Sequence, residues 1–430
     1  MGGAVPMILR RKYLDQLIDF QDQDLIKVVT GVRRCGKSTL LDMMREHLAS
    51  QGVARERLLS FKMESMEFDG ISSYRDLHQI VREHASGVSH PYLFFDELQE
   101  IAGWERVINS LRIDMDCDIY ITGSNAYLLS SELSTLLSGR YVEVEMLPLT
   151  FAEYLDFRGA LWSASDSDQA DLLEMADGSI ATLGRMLEQY RRFGGLPFLA
   201  LRKPELSAHR AYCKSLYDTV MVRDILQRDR RRDRRHLTSP ELLERVCAFL
   251  ANNVGNECSM NRIATALSAE GSSVSNQTVD AYAAALTEAY LFYPVRRYDI
   301  RGRELLKTGA KRYIVDTGIR SYLEGYRNAD SGRVLENMIF LQLAFDGYEV
   351  TVGKLRGGEV DFVATKADER IYMQVCMDIS SAATMERELR PLRAIRDAYP
   401  KLVITMGGPH PTDVDGIRIV DAQDFLLHRV

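Results

Sequence analysis

"VVTGVRRCGKSTLL", residues 28–41, decides how the rest of the chain is read. An apolar, β-branched run, "LIKVVT" at 25–30, leads into Gly31; Gly36, Lys37 and Ser38 follow after four residues, and a second apolar run comes next. The first run has the composition of a buried parallel strand. The second reads as a helix from near Lys37 to about Ser50. A G-x-x-x-x-G-K-[ST] pattern between a strand and a helix makes a phosphate-binding loop. Its glycines let backbone N–H groups approach phosphate oxygens, and the helix N-terminus adds partial positive charge. Gly31, Val32, Arg33, Arg34, Cys35, Gly36, Lys37, Ser38 and Thr39 are therefore the candidate nucleotide-binding set. Lys37 is expected to reach the β- and γ-phosphates and Ser38 to ligate Mg²⁺.

Two later strands strengthen this reading. "PYLFFDELQE", 91–100, is an apolar strand ending in two acids. Asp96 is expected to hold the Mg²⁺ shell with Ser38, and Glu97 to orient or deprotonate a water. The plainer alternative is an acidic pair opening a helix. "CDIYITGSN", 117–125, ends in Ser124 and Asn125. Asn125, with Ser124 next, is the candidate to touch the γ-phosphate or the attacking water; a helix cap is the alternative.

With these three strands on the page, the chain resembles an AAA+-type ATPase. "SNAYLLSSELSTLLSGRYVEVEMLPLTFAEYL" (124–155), "RRFGGLPFLAL" (191–201), "NQTVDAYAAALTEAYLFYPVRRYDI" (276–300) and "GGEVDFVATKADERIYMQVCM" (357–377) are similar to stretches of one broad prokaryotic family. Its members join an AAA+-like ATPase to an uncharacterised C-terminal region. The resemblance implies ATP rather than GTP. It also implies an arginine finger for a neighbouring subunit, with Arg140 in "SGRY" as the candidate and an ordinary surface arginine as the alternative. Arg191 or Arg192, before "GGLP", is a candidate lid arginine. Cys35 lies inside the phosphate loop beside Arg33 and Arg34, a setting expected to favour a thiolate and redox control; a small residue that fits is the alternative.

Composition bounds the rest. At 430 residues, two to four domains are expected. Apolar residues are 46% and charged residues 27%, the balance of a globular protein. A net charge of −7 means that nucleic acid would need a local basic patch. The six cysteines form no C-x-x-C pair, so neither a zinc site nor a disulfide framework is expected. No signal peptide and no transmembrane run near 18 residues is read, and Pro6 spoils a myristoylation pattern; a reducing cytoplasm suits the chain, with no membrane contact.

Residues 156–180 read as loop and short helices, followed by helix to about 235. "QRDRRRDRRH", 227–236, is either a DNA-phosphate contact through the arginines of 228–235 or a solvated face. Three helices starting near Ser239, Ser259 and Ser275 precede two strands, "LFYPVRRYD" and "KRYIVD", as in a winged helix-turn-helix. Its third helix carries Asp280 and Glu288 but no Lys or Arg. The wing carries Arg296, Arg297, Arg301, Arg303, Lys307, Lys311 and Arg312 against Asp299 and Glu304. DNA contact through the wing and packing against protein both stay open.

The last hundred residues resemble the restriction-endonuclease-like fold. Glu336, Glu359 and Asp361 match its acidic positions. At the third position the chain has Gln374 and Cys376 where an acid and a lysine would stand. The expectation is the fold without nuclease activity.

The chain is thus expected to be α/β. A P-loop AAA+-like core at 1–155 precedes a helical lid and basic segment at 156–236. A winged helix at 237–325 and a nuclease-like domain at 326–430 follow. The expected function is Mg²⁺-dependent ATP hydrolysis that moves the C-terminal modules, with Lys37, Glu97, Asn125 and Arg140 in catalysis. A slow ATP-dependent switch for a protein client is the alternative, and a homo-oligomer stays open.

Overall fold

Five short parallel strands build the sheet that the phosphate-loop motif requires. They are β1 (Ile26–Thr30), β2 (Leu58–Lys62), β3 (Tyr92–Asp96), β4 (Asp118–Thr122) and β5 (Tyr141–Glu145), in the order β2-β3-β4-β1-β5. The computed structural model describes residues 8–68, 70–71, 73–126, 139–162, 172–227, 237, 239–269, 274–325 and 330–429. The chain divides into two compact units, Met1–Met146 with Glu288–Tyr290, and Leu147–Thr287 with Leu291–Val430.

Every residue of β1 is buried, which is why its sequence is apolar and β-branched. Parallel register aligns Val29 with Thr122 and Phe95 with Ile121, so β1, β3 and β4 end together. Leu93, Phe95, Ile119 and Ile121 join Leu77, Val81, Val107, Ile108 and Leu111 of the helices Tyr74–His84 and Trp104–Asp114 in one apolar cluster. Each such buried side chain stabilises the fold by about 1.5–3 kcal/mol. Lys27 is the exception on β1: it is fully buried and its ammonium pairs with the Asp118 carboxylate.

In the second unit, an antiparallel three-stranded sheet comprises β6 (Ala160–Leu161), β7 (Leu172–Met175) and β8 (Ile180–Thr182). It replaces part of the loop and short helices expected at 156–180. The reason lies in "LLEM", where Leu173 and Met175 are buried while Leu172 and Glu174 face out, a two-residue period. Helices Leu183–Phe193 and Leu206–Thr219 follow, and a π-helix covers Val220–Gln227. The arginine run 228–235 lies outside the described residues.

The expected three helices are Pro240–Asn252, Met260–Ala269 and Asn276–Glu288, the first capped by Ser239 with Pro240 at its first turn. Their hairpin, β9 (Phe292–Asp299) and β10 (Glu304–Ile314), is not a free wing. It forms one edge of an eight-stranded sheet with β11 (Glu349–Leu355), β12 (Gly358–Lys366), β13 (Glu369–Cys376), β14 (Lys401–Thr405), β15 (Asp413–Val414) and β16 (Ile417–Asp421). Parallel pairing of Arg297 with Val352 joins the hairpin to the C-terminal strands, so one sheet crosses the expected 325/326 boundary. Among the described residues, no helix is long and apolar enough to cross a membrane.

Candidate nucleotide site

The loop after β1 is shaped by backbone that ordinary residues avoid. Gly31 has φ +134°, and a Cβ there would lie 2.2 Å from the Met146 carbonyl oxygen. Arg34 takes φ 65° and Gly36 φ 110°, which turns the chain into the helix Lys37–Ser50. Its N-cap is Gly36, which has no side chain to cap the helix, a setting that suits an anion at the first turn. Lys37 is buried, and its ammonium donates to the carbonyls of Gly31 and Val32 at 3.0 and 3.1 Å.

The carboxyl edge of the sheet brings the acids to this loop. Ser38 Oγ donates to Asp96 Oδ1 at 2.9 Å. Thr122, at the end of β4, donates to the same oxygen at 2.5 Å and accepts the Glu97 N–H at 3.0 Å. Glu97 sits in left-handed backbone, φ 55° and ψ 42°, with its side chain turned inward. Its Oε2 accepts from Ser124 Oγ at 3.2 Å and from the Gln99 amide, and lies 4.0 Å from Arg33 Nη2. The Arg33 guanidinium also reaches Glu64 at 3.4 Å. Asn125 is buried beside Ser124, and Thr39 is exposed on the first turn of the helix.

A carboxylate and a hydroxyl oxygen in contact, with the lysine ammonium directed elsewhere, form a donor set that fits a hard divalent cation. Among the described residues, no three His, Cys, Asp or Glu side chains are arranged to hold a metal.

Arg140 is exposed and precedes β5, its carbonyl accepting the Ile26 N–H at the start of β1. It therefore lies at the end of the sheet opposite its own phosphate loop. Arg191 is held by Glu188 at 2.7 Å and by Ser331 Oγ at 3.0 Å, all within the second unit. Arg192 lies over the Phe193 ring. The thiolate expected at Cys35 is overturned. The side chain is fully buried, and burial raises its thiol pKa against the opposing pull of Lys37 and Arg10.

Around Glu336, Glu359 and Asp361 the structure differs from expectation. A lysine is present, from β10 rather than β13. Lys311 Nζ lies 3.0 Å from Glu336, 2.7 Å from Glu359 and 3.4 Å from Asp361. Tyr313 donates to Glu336 at 2.6 Å. Gln374 accepts the Asp361 N–H at 2.8 Å and donates to Glu388 at 3.1 Å, so it bridges the cluster. Burial and the neighbouring Glu336 push the Asp361 carboxyl up, while Lys311 pulls it down. Cys376 is buried, and its thiol is pushed up to about 11 mainly by burial. The wing therefore offers less charge than its sequence shows: Lys311 faces these acids and Arg297 pairs with Glu257. Arg296, Arg301 and Arg303 are exposed.

Thr122 and Gln99 were missed in the sequence. The register of a strand against the Asp96 strand was the available signal for Thr122; a residue two places after Glu97 gave no comparable signal.

Residues 23–155 match a family described as an AAA domain, and residues 184–330 match a domain of unknown function. An uncharacterised protein of Haemophilus influenzae is 38% identical over 422 residues, covering 98% of this chain and 99% of that one. The chain belongs to that protein's family. An uncharacterised protein of Methanocaldococcus jannaschii is 27% identical over 384 residues, 86% of this chain and 79% of the relative. Among solved structures, the Walker-type ATPase of Pyrococcus abyssi aligns with TM-score 0.44 and 15% identity, over 74% of this chain and 95% of that one. Residues 23–155 of this family member thus carry an AAA-like core.

Proposed function

We propose that the chain binds ATP with Mg²⁺ and hydrolyses it to ADP and phosphate. The observation that carries this reading is the Ser38–Asp96 hydrogen bond of 2.9 Å, with Glu97 next in sequence and turned into the same site. Lys37 would leave the loop carbonyls for the β- and γ-phosphates, and backbone N–H groups of 31–38 would line the polyphosphate. Ser38 and Asp96 would hold the Mg²⁺, which neutralises phosphate charge when bound. Glu97 would orient the attacking water, and Asn125, with Ser124, would sense the γ-phosphate. The test is turnover and binding in three proteins. The native chain is expected to hydrolyse ATP, Lys37→Ala to lose binding, and Glu97→Gln to keep binding while turnover falls by about 100-fold or more. Equal turnover in all three would overturn the reading.

The contacts that Glu97 makes with Ser124 and Gln99 favour a low basal rate, since they must loosen before the carboxylate can serve water. Slow, switch-like turnover that regulates a protein partner would follow. A second reading, contact with duplex DNA phosphates, is favoured by the exposure of Arg296, Arg301 and Arg303. Binding that falls steeply with salt is its expected signature. No binding to any duplex at low salt would end that reading.

A further inference from the structure

We propose that Arg33 is the arginine that meets the charge of the transferring phosphoryl group, acting on nucleotide in its own chain. This inference rests on the ATPase reading and deepens it. The phosphate loop carries two adjacent arginines that the backbone sends in different directions. Arg34, at φ 65°, is exposed, whereas the Arg33 side chain is only 11% exposed. Its guanidinium lies between two carboxylates, 3.4 Å from Glu64 and 4.0 Å from Glu97. The fork is therefore placed beside the water-handling glutamate.

The chemistry needs a cation at this place. Water oxygen forms a bond to the γ-phosphorus, and the bond from that phosphorus to the β,γ-bridging oxygen breaks with its electron pair going to ADP. One water proton passes to the Glu97 carboxylate and then to phosphate or solvent. Negative charge grows on the bridging oxygen, while the equatorial oxygens carry theirs throughout. Lys37 supplies one positive charge from the loop. Arg33 supplies a second, stays protonated throughout, and presents donors in a planar fork suited to phosphoryl oxygens. Arg140, the candidate for a neighbouring subunit's nucleotide, stands at the start of β5, away from its own chain's loop.

An arginine in cis has a kinetic consequence: each chain carries its complete site. Turnover per chain is expected to stay constant as the protein is diluted from micromolar to nanomolar. Arg33→Ala is expected to bind ADP, and ADP with beryllium fluoride, within about threefold of the native chain. It should fail to form the ADP–aluminium fluoride complex, read by a fluorescent ADP analogue, and turnover should fall by roughly a thousandfold. Arg33→Lys, which keeps charge without the fork, is expected to fall between the two and serves if the alanine variant does not fold. Native-like turnover or aluminium fluoride trapping in both variants would overturn the proposal, as would a loss of native turnover on dilution. A native chain that does not hydrolyse ATP would instead overturn the parent reading.

Discussion

At the scale of single residues, Thr122 does two jobs with one hydroxyl. It donates to Asp96 and accepts from the N–H of Glu97, whose left-handed backbone needs holding. Without it a buried N–H loses its acceptor, a cost of about 1–3 kcal/mol. Thr122→Val is therefore expected to lower kcat by about tenfold or more while ATP affinity changes less than about threefold, and Thr122→Ser to restore both. Steady-state kinetics with a separate binding measurement checks this; a uniform loss of affinity would assign Thr122 to folding alone. Gly31 makes a sharper demand, since a Cβ would lie 2.2 Å from the Met146 carbonyl at a φ that L residues resist. Gly31→Ala is expected to abolish nucleotide binding or lower the melting temperature. The phosphate-loop spacing and the acids at 96 and 97 were legible because they are local in sequence. At Cys35, charge near a thiol is visible in sequence, whereas complete burial is not.

Strand elements show where sequence reading stops. The parallel strands were legible from apolar runs, since β1 is buried along its full length. The pairing of β9 with β11 was not, because it joins residues more than fifty positions apart through backbone groups that all residues share. That pairing changes the meaning of Lys311. Counted along the chain, it adds to a basic wing; folded, it lies among Glu336, Glu359 and Asp361 and is 5% exposed. Lys311→Met leaves these acids without their cation and is expected to destabilise the second unit by about 3–5 kcal/mol. A denaturant melt following that unit measures it. Adding Asp361→Asn is expected to recover part of the loss, and simple additivity of the two changes would contradict a direct coupling.

For the whole molecule, the balance of charge sets a pH dependence with a definite sign. Asp316 is buried, and burial pushes its carboxyl up from 3.8 to about 6, against the pull of the Gly195 and Ile319 amides. A carboxyl whose folded pKa lies above its unfolded value contributes stability that is present below 3.8 and lost as pH rises through about 6. Asp316→Asn, which can still cap the helix Thr317–Glu324, is expected to flatten this part of the stability profile. The net charge of −7 also bears on nucleic acid, since any such contact would need local groups such as Arg296, Arg301 and Arg303. The proposed ATPase activity depends on the phosphate loop. Titration calorimetry of the full chain with a non-hydrolysable ATP analogue and Mg²⁺ tests this most directly. One site per chain, lost in Lys37→Ala and weakened without Mg²⁺, is the predicted result; no heat of binding from folded native protein, or equal binding by Lys37→Ala, would contradict it.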